Sequence, residues 1–184
     1  DAAARKPSCA AAKSKTVAQN ASARVFTITR SSGTTRLYGC LRSSGRRVVL
    51  AQAADDIETS TGFDRVRLNG RFVAWQGTAT DLSCKADCPP GYDPYTWTIE
   101  RVDLRSRKGR AFSGRAAGQA LVVSRKGAVA WVQSTGADTY DVRAGDAAGA
   151  RTLDSGAIDP KSLKLAGSTL SWTNAGAPKT AALP

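Results

Sequence analysis

The chain has 184 residues, of which 41% are hydrophobic and 23% charged, so its composition is that of a folded domain rather than a disordered segment. No apolar run approaches the roughly 18 residues that a membrane-spanning helix needs. The formal net charge is +12, which favours anionic partners such as acidic polysaccharide, phosphate polymers or nucleic acid.

The amino-terminal segment and the cysteines predict an exported protein. The segment DAAARKPSCAAAKSK lacks the apolar core of a signal peptide and is typical of the end left after one is removed. Four cysteines without any histidine favour disulfides over a metal site. Of the three possible connectivities we favour Cys84–Cys88, a local loop, with Cys9–Cys40, which ties the tail to an early strand. We therefore expect a secreted, extracellular protein without a membrane span.

A short motif recurs four times in chain order. Aligned on its last residue, it reads NASARVF to Phe26, NGRFVAW to Trp75, RKGAVAW to Trp131 and AGSTLSW to Trp172. A short apolar strand precedes each turn and a strand of alternating polarity follows most of the aromatics, which indicates β-structure. The equivalent positions predict that these four aromatics pack in the core rather than bind a ligand. In the second copy, Asn69-Gly70 predicts a type I′ turn with positive φ at both residues.

The repeat predicts the fold class. Four antiparallel strands in roughly forty residues match a propeller blade in size. We expect an all-β fold, a four-bladed β-propeller-like array of four-stranded antiparallel repeats whose last blade lacks its outer strand. The blades are expected at about 14–54, 62–115, 118–155 and 160–184 within a single domain, and residues 1–13 form a tail or donor strand. A two-sheet β-sandwich is the alternative.

Three segments carry a resemblance to a known group of proteins. YGCLRSSGRR, VRLNGRFVAW and SGAIDPKSLKLAGSTLSW, with the cysteine-containing insertion, resemble secreted β-propeller-like repeat proteins of high-GC actinobacteria whose activities are uncharacterised. The shared motifs are turns and core aromatics. The resemblance therefore implies a fold and an exported location, and it transfers no catalytic residue.

The sequence offers little catalytic chemistry. The lack of histidine removes Ser-His-Asp and Cys-His arrangements, and we predict no catalytic residue, no metal site and no cofactor. Carboxylates that would suit a glycoside hydrolase or a calcium site are Asp55, Asp56, Glu58, Asp81, Asp87 and Asp93. Because no EF-hand-like ligand spacing is present, we interpret them as polar loop residues that cap turns.

One region is the first place to look for a ligand surface. It combines the aromatic residues Tyr92, Tyr95 and Trp97 with the basic residues Arg101, Arg105 and Arg107. The sequence places Arg101, Asp103, Arg105 and Arg107 on one strand face, where they would bind polyanions or protect a sheet edge. No RNA-binding aromatic motif accompanies the run, so nucleic acid is not an expected partner.

These features support three hypotheses of function. The first is a non-catalytic extracellular structural protein, a self-assembling subunit of a fibre or surface layer joined to copies of itself through terminal strand complementation. The alternative is a monomeric secreted binding module for anionic or glycan ligands such as anionic polysaccharide. A carboxylate-based hydrolase or lyase is the weakest of the three.

Overall fold

A computed structural model describes residues 8–84, 88–89, 92–114 and 118–184. In this part of the chain there are fifteen strands and no helix, so no helix is present that could cross a membrane. The strands are β1 Ser14–Gln19, β2 Ala23–Thr29, β3 Thr35–Leu41, β4 Arg47–Asp55, β5 Thr59–Asn69, β6 Phe72–Asp81, β7 Tyr95–Asp103, β8 Gly109–Gly114, β9 Gly118–Val123, β10 Val129–Gly136, β11 Thr139–Gly145, β12 Ala150–Gly156, β13 Lys164–Ala166, β14 Thr169–Asn174 and β15 Ala177–Ala182.

The strands form three antiparallel sheets in chain order. The first sheet contains β1–β8, the second β9–β12 and the third β13–β15. β4 and β5 pair only through Ala54–Thr61 and Asp55–Ser60, so the first sheet consists of two four-stranded groups joined at a corner. We call β1–β4, β5–β8, β9–β12 and β13–β15 units 1 to 4. The all-β antiparallel prediction is confirmed, and the sheets do not close into a barrel.

The unit boundaries differ in detail from those expected. β5 begins at Thr59 rather than near residue 62, because the short turn after β4 lets the two strands pair at once. Residues 1–7 of the predicted tail and residues 115–117 between units 2 and 3 lie outside the described residues. The described part of the tail, residues 8–13, contains no strand.

The described residues form four apolar core clusters, of which three lie between successive units, and we call these three seams. Trp75 packs against unit 1, Trp131 against unit 2 and Trp172 against unit 3. Each tryptophan is no more than 5% exposed, as the repeat predicts. Successive side chains of a strand point to opposite faces, so the residue before each of the first two tryptophans, Ala74 or Ala130, contacts the following unit instead.

The first aromatic of the repeat lies outside the seams. Phe26 is fully buried on the face of unit 1 that points away from unit 2. There it stacks on Tyr38 with ring centroids 5.4 Å apart and packs with the disulfide formed by Cys9 and Cys40. The guanidinium of Arg24 lies 4.8 Å above the Phe26 ring and donates to the Cys9 carbonyl. Residues 8–13 therefore cover this face of unit 1.

Both expected disulfides are present. Cys9 joins Cys40, and Cys84 joins Cys88 in the insertion between β6 and β7. Disulfides of this kind are compatible with an oxidising compartment, such as the extracellular space.

The first strands of successive units lie side by side. β5 contacts β1 and β9, and β9 contacts β13. Three side chains of β5 donate hydrogen bonds to backbone carbonyls of β9: Arg65 to Gly118, Arg67 to Leu121 and Asn69 to Val123. These bonds fix the position of unit 3 relative to unit 2 in addition to the apolar seam.

The β5–β6 hairpin has a different turn from the one predicted. Asn69 pairs with Phe72, so Gly70 and Arg71 are the central residues of the turn. Only Gly70 has a positive φ, 57°, which identifies a type II′ turn with glycine at its first central position. The type I′ prediction is wrong because Asn69 belongs to the strand ladder and keeps an extended backbone.

Antiparallel order sends alternate turns to opposite ends of the molecule. The turns that follow the first and third strand of each unit share one end, which we call the basic end. The turns after the second and fourth strands share the other, the acidic end. Asp55, Asp56, Glu58, Asp81 and Asp93 lie in or beside turns of the acidic end.

Candidate anion-binding site

A pocket of about 1070 Å³ opens at the basic end, where units 1 and 2 meet. Its walls come from four turns, those of β1–β2, β3–β4, β5–β6 and β7–β8. Six arginines line it: Arg42, Arg46, Arg47, Arg71, Arg105 and Arg107. Leu41, Val48 and Leu104 supply apolar lining, and no aspartate or glutamate of the described residues belongs to the lining. We call this cavity the arginine pocket.

Arg71 is held in place by the one nearby carboxylate. Its Nε lies 2.9 Å from Oδ1 of Asp103, at an angle that makes the contact an ion pair rather than an aligned hydrogen bond. The same Oδ1 accepts from the backbone N–H of Arg105 at 2.9 Å. The Arg71 guanidinium also lies 5.0 Å above the Phe72 ring, where a cation is attracted by the π face. These contacts fix the side chain before any ligand arrives.

Two further arginines are anchored by uncharged acceptors of unit 1 and of the segment before it. Arg42 donates to the Asn20 carbonyl and to Oε1 of Gln19, and Arg47 donates to the Ala10 carbonyl. A carbonyl orients a guanidinium without cancelling its charge. The pocket therefore keeps its positive potential. The entropy cost of ordering these two side chains is incurred when the protein folds, so ligand binding does not incur it again.

The remaining three arginines are free to meet a ligand. Within the described part of the chain, the side chains of Arg46, Arg105 and Arg107 make no hydrogen bond or ion pair, and all three residues are exposed. Gathered like charges raise the local potential and attract anions. The planar fork of each guanidinium matches the oxygens of a carboxylate, sulfate or phosphate group.

The structure divides the ligand surface expected from the sequence. Arg105 and Arg107 lie in the arginine pocket, whereas exposed Tyr92 and Tyr95 lie at the acidic end. β7 has nine residues, and at about 3.3 Å per residue its ends are roughly 26 Å apart. The aromatic and basic parts therefore do not form one surface.

The strand face proposed for the basic run is also corrected. β7 ends at Asp103, so Arg105 and Arg107 belong to the turn that follows. Arg101 lies inside β7, between β6 and β8, and its Nη1 approaches Gly127 of unit 3. Trp97, on the same strand, is half-buried. β7 is an interior strand, so its charges do not protect a sheet edge.

The carboxylates of the acidic end cap turns. Asp56 accepts from the Ile57 N–H, and Asp93 from the Tyr95 N–H. Hydrogen bonds from the Ser83 side chain and backbone lower the pKa of Asp81. The described residues include no group of three His, Cys, Asp or Glu side chains placed to hold a metal ion, and Asp87 lies outside them.

A smaller cavity of about 250 Å³ lies between units 1 and 2, lined by Trp75, Glu100 and several threonines. Burial raises the pKa of the Glu100 carboxyl, and contacts with Thr98 and Trp75 oppose this effect. The Trp75 indole N–H does not reach hydrogen-bond geometry with an acceptor in the described residues, so its contribution is weak. Glu100 has no second acid or base beside it among the described lining residues. It therefore supplies one of the two groups that general acid–base catalysis uses.

Four of the pocket arginines were not among the residues selected from sequence: Arg42, Arg46, Arg47 and Arg71. For Arg42, Arg46 and Arg47 the signal is the basic character of turns at equivalent positions of the repeat, RSSGRR in unit 1 and RSRKGR in unit 2. Aligning these turns shows that both face the same end of the molecule, where the seam brings them together.

No protein-family model matches the chain, and no curated protein matches it at a significant level. Among solved structures, the chain is similar to a puromycin-hydrolyzing peptidase of Mycobacterium tuberculosis, with a TM-score of 0.52 and 14% sequence identity. The match covers 91% of this chain and 30% of that chain. The chain thus spans less than a third of the peptidase, and the likeness is one of fold alone.

Proposed function

We propose that this protein is a secreted, non-catalytic binding module that recognises anionic ligands through the arginine pocket. Its four units are blades of a propeller-like array whose turns present the pocket. The observation that carries the proposal is the convergence of six arginines on one cavity, whose lining includes no acidic side chain in the part of the chain that the structure describes.

The charges of the pocket support an anionic ligand over a structural role for these arginines. A paired arginine elsewhere in the molecule gives the contrast: Arg151 lies 2.6 Å from Asp146, which balances its charge. In the pocket only Arg71 has such a partner among the described residues. Exposed, unpaired arginines repel one another, and a bound anion relieves this repulsion.

The proposal is tested by measuring binding to a sulfated dextran and to neutral dextran of equal length. We expect binding to the sulfated polymer alone, weakening as salt screens the charges. The variant Arg46→Ala/Arg105→Ala/Arg107→Ala should bind about tenfold more weakly, because each exposed ion pair contributes about 0.5 kcal/mol.

The matched control removes three positive charges elsewhere. Lys15→Ala/Arg30→Ala/Lys161→Ala alters exposed residues outside the arginine pocket and should leave the affinity nearly unchanged. Equal losses in the two triple variants would show that net charge, rather than the pocket, attracts the polymer. An absence of binding to any anionic polymer would reject the proposed function.

Self-assembly remains a second candidate because of one edge. β15 pairs with β14 on one side, and its other side has no partner strand among the described residues. An open edge is a template for a further strand. The same strand carries Pro178 and Lys179, two residues that discourage edge pairing. Light scattering across a concentration series tests this function, and a constant monomer mass would reject it.

A further inference from the structure

A second basic cavity lies beside the arginine pocket at the same end of the molecule. It has a volume of about 540 Å³, and its lining includes Asn69, Arg125, Lys126 and Ser168. Arg125 and Lys126 are exposed in the β9–β10 turn. Among the described residues, this lining contains no aspartate or glutamate side chain either. We call it the second pocket.

The two pockets share a wall, the β5–β6 turn. Arg71 lines the arginine pocket and Asn69 lines the second pocket, with only Gly70 between them. Residues two apart in the chain are at most about 7 Å apart at their Cα atoms, so the pockets adjoin. No atom lies within 4 Å of the place where a side chain of Gly70 would begin. Gly70 therefore faces open space, and no side chain blocks the way from one pocket to the other at this turn.

From this arrangement we infer that the ligand is a linear acidic polysaccharide, which crosses Gly70 and places anionic groups in both pockets. The inference rests on the proposed function and specifies its ligand. A small anion fills one pocket and gains nothing from the other, whereas a chain that reaches both joins two weak contacts in one molecule and binds more tightly than either alone.

Surface chemistry favours polysaccharide over nucleic acid. Proteins that bind single-stranded nucleic acid usually stack bases on exposed aromatic rings. The described exposed large hydrophobic residues include two aromatics, Tyr92 and Tyr95, and both lie at the acidic end. As far as the structure describes them, the linings of the two pockets contain no aromatic side chain. Arginines that contact sulfate or carboxylate groups need no stacking platform.

The test titrates the whole protein with heparin-derived oligosaccharides of increasing length, from disaccharide to dodecasaccharide. We expect affinity per molecule to rise at least tenfold once the chain reaches both pockets and then to level off. Arg125→Ala/Lys126→Ala should remove this gain for the long oligosaccharide and leave disaccharide binding to the arginine pocket unchanged. Arg46→Ala/Arg105→Ala should weaken binding of both lengths.

The outcomes separate this inference from the proposed function. If short and long oligosaccharides bind equally well, or if Arg125→Ala/Lys126→Ala has no effect on the long one, the chain does not cross Gly70 and the inference fails while the proposed function stands. If a single-stranded oligonucleotide of equal charge binds more tightly than the dodecasaccharide, the assignment to polysaccharide is overturned. Thermal unfolding of each variant verifies that these exposed substitutions leave the fold intact.

Discussion

At the scale of single residues, one carboxylate joins units 3 and 4. Asp154 of β12 accepts hydrogen bonds from the Trp172 indole N–H at 2.7 Å and from the Asn174 amide at 3.1 Å. Burial favours the neutral acid, but the bonds from Trp172 and Asn174 outweigh it, so the pKa of Asp154 lies below its usual value. The carboxylate therefore stabilises the folded state only while it is ionised.

A lowered pKa gives the sign of the pH dependence. The stabilisation is present above the unfolded-state pKa, about 3.9, and is lost as the pH falls through the lower folded-state value. Asp154→Ala should lower the free energy of unfolding by about 1–2 kcal/mol at pH 7, and the difference from the unmodified protein should shrink below about pH 4. Urea unfolding followed by tryptophan fluorescence measures both quantities.

The control for this prediction is Asp55→Ala, which removes an exposed carboxylate at the end of β4. We expect it to change the stability by less than about 0.5 kcal/mol. A deficit of Asp154→Ala that stays constant down to pH 3 would show that the ionised form is not what holds the seam.

At the scale of elements, the amino-terminal segment acts as a covering for unit 1. Cys9 is 4% exposed and its disulfide to Cys40 closes a loop with a sequence separation of 31. Cys9→Ser/Cys40→Ser should lower the free energy of unfolding by about 3 kcal/mol. Without the bond the unfolded chain is no longer closed into a loop, so the entropy of the unfolded state rises. Denaturant midpoints under non-reducing conditions measure the loss.

The second disulfide provides the matched comparison. Cys84 and Cys88 are four positions apart, so their bond restricts the unfolded chain less. Cys84→Ser/Cys88→Ser should cost about 2 kcal/mol less than the loss of Cys9–Cys40. An equal or larger loss would contradict the idea that the length of the closed loop sets how much each disulfide stabilises the fold.

The elements were predictable from sequence because their signals are local. Period-two alternation, the glycine turns and the register of Trp75, Trp131 and Trp172 all depend on residues close together in the chain. The arginine pocket was not predictable in this way, since Arg46, Arg71 and Arg105 come from three turns that only the seam brings together. The prediction that Tyr95 and Arg105 share one ligand surface was wrong for the opposite reason. They are near in sequence, but the length of β7 separates them.

At the scale of the whole molecule, the seams are arranged in series. Trp131 occupies the middle seam and Trp172 the seam of unit 4. Replacing a buried tryptophan by alanine lowers the free energy of unfolding by about 3–5 kcal/mol. The two substitutions should, however, destabilise different sets of strands. Trp172→Ala should speed amide hydrogen exchange mainly in β13–β15, whereas Trp131→Ala should speed it on both sides of the middle seam.

Hydrogen exchange resolved by peptide measures this difference, with the strands of unit 1 as the internal reference. In the described residues no core cluster joins unit 4 to unit 1. Unit 1 should therefore keep its protection in Trp172→Ala. Loss of protection in β1–β4 equal to that in β14 would mean that the two outer units are coupled, as they are in a closed ring.

The two faces of each unit also differ, so the array of units is polar from unit 1 to unit 4. In units 1 to 3 the position before the repeat aromatic is Val25, Ala74 or Ala130, each buried against the next unit. In unit 4 this position is Ser171. Units 2 and 3 therefore have the same two faces: the tryptophan face packs against the preceding unit, and the alanine face packs against the following unit. A tandem duplication of unit 3 would meet matching faces on both sides, so the array can be lengthened by gene duplication without redesigning either outer face.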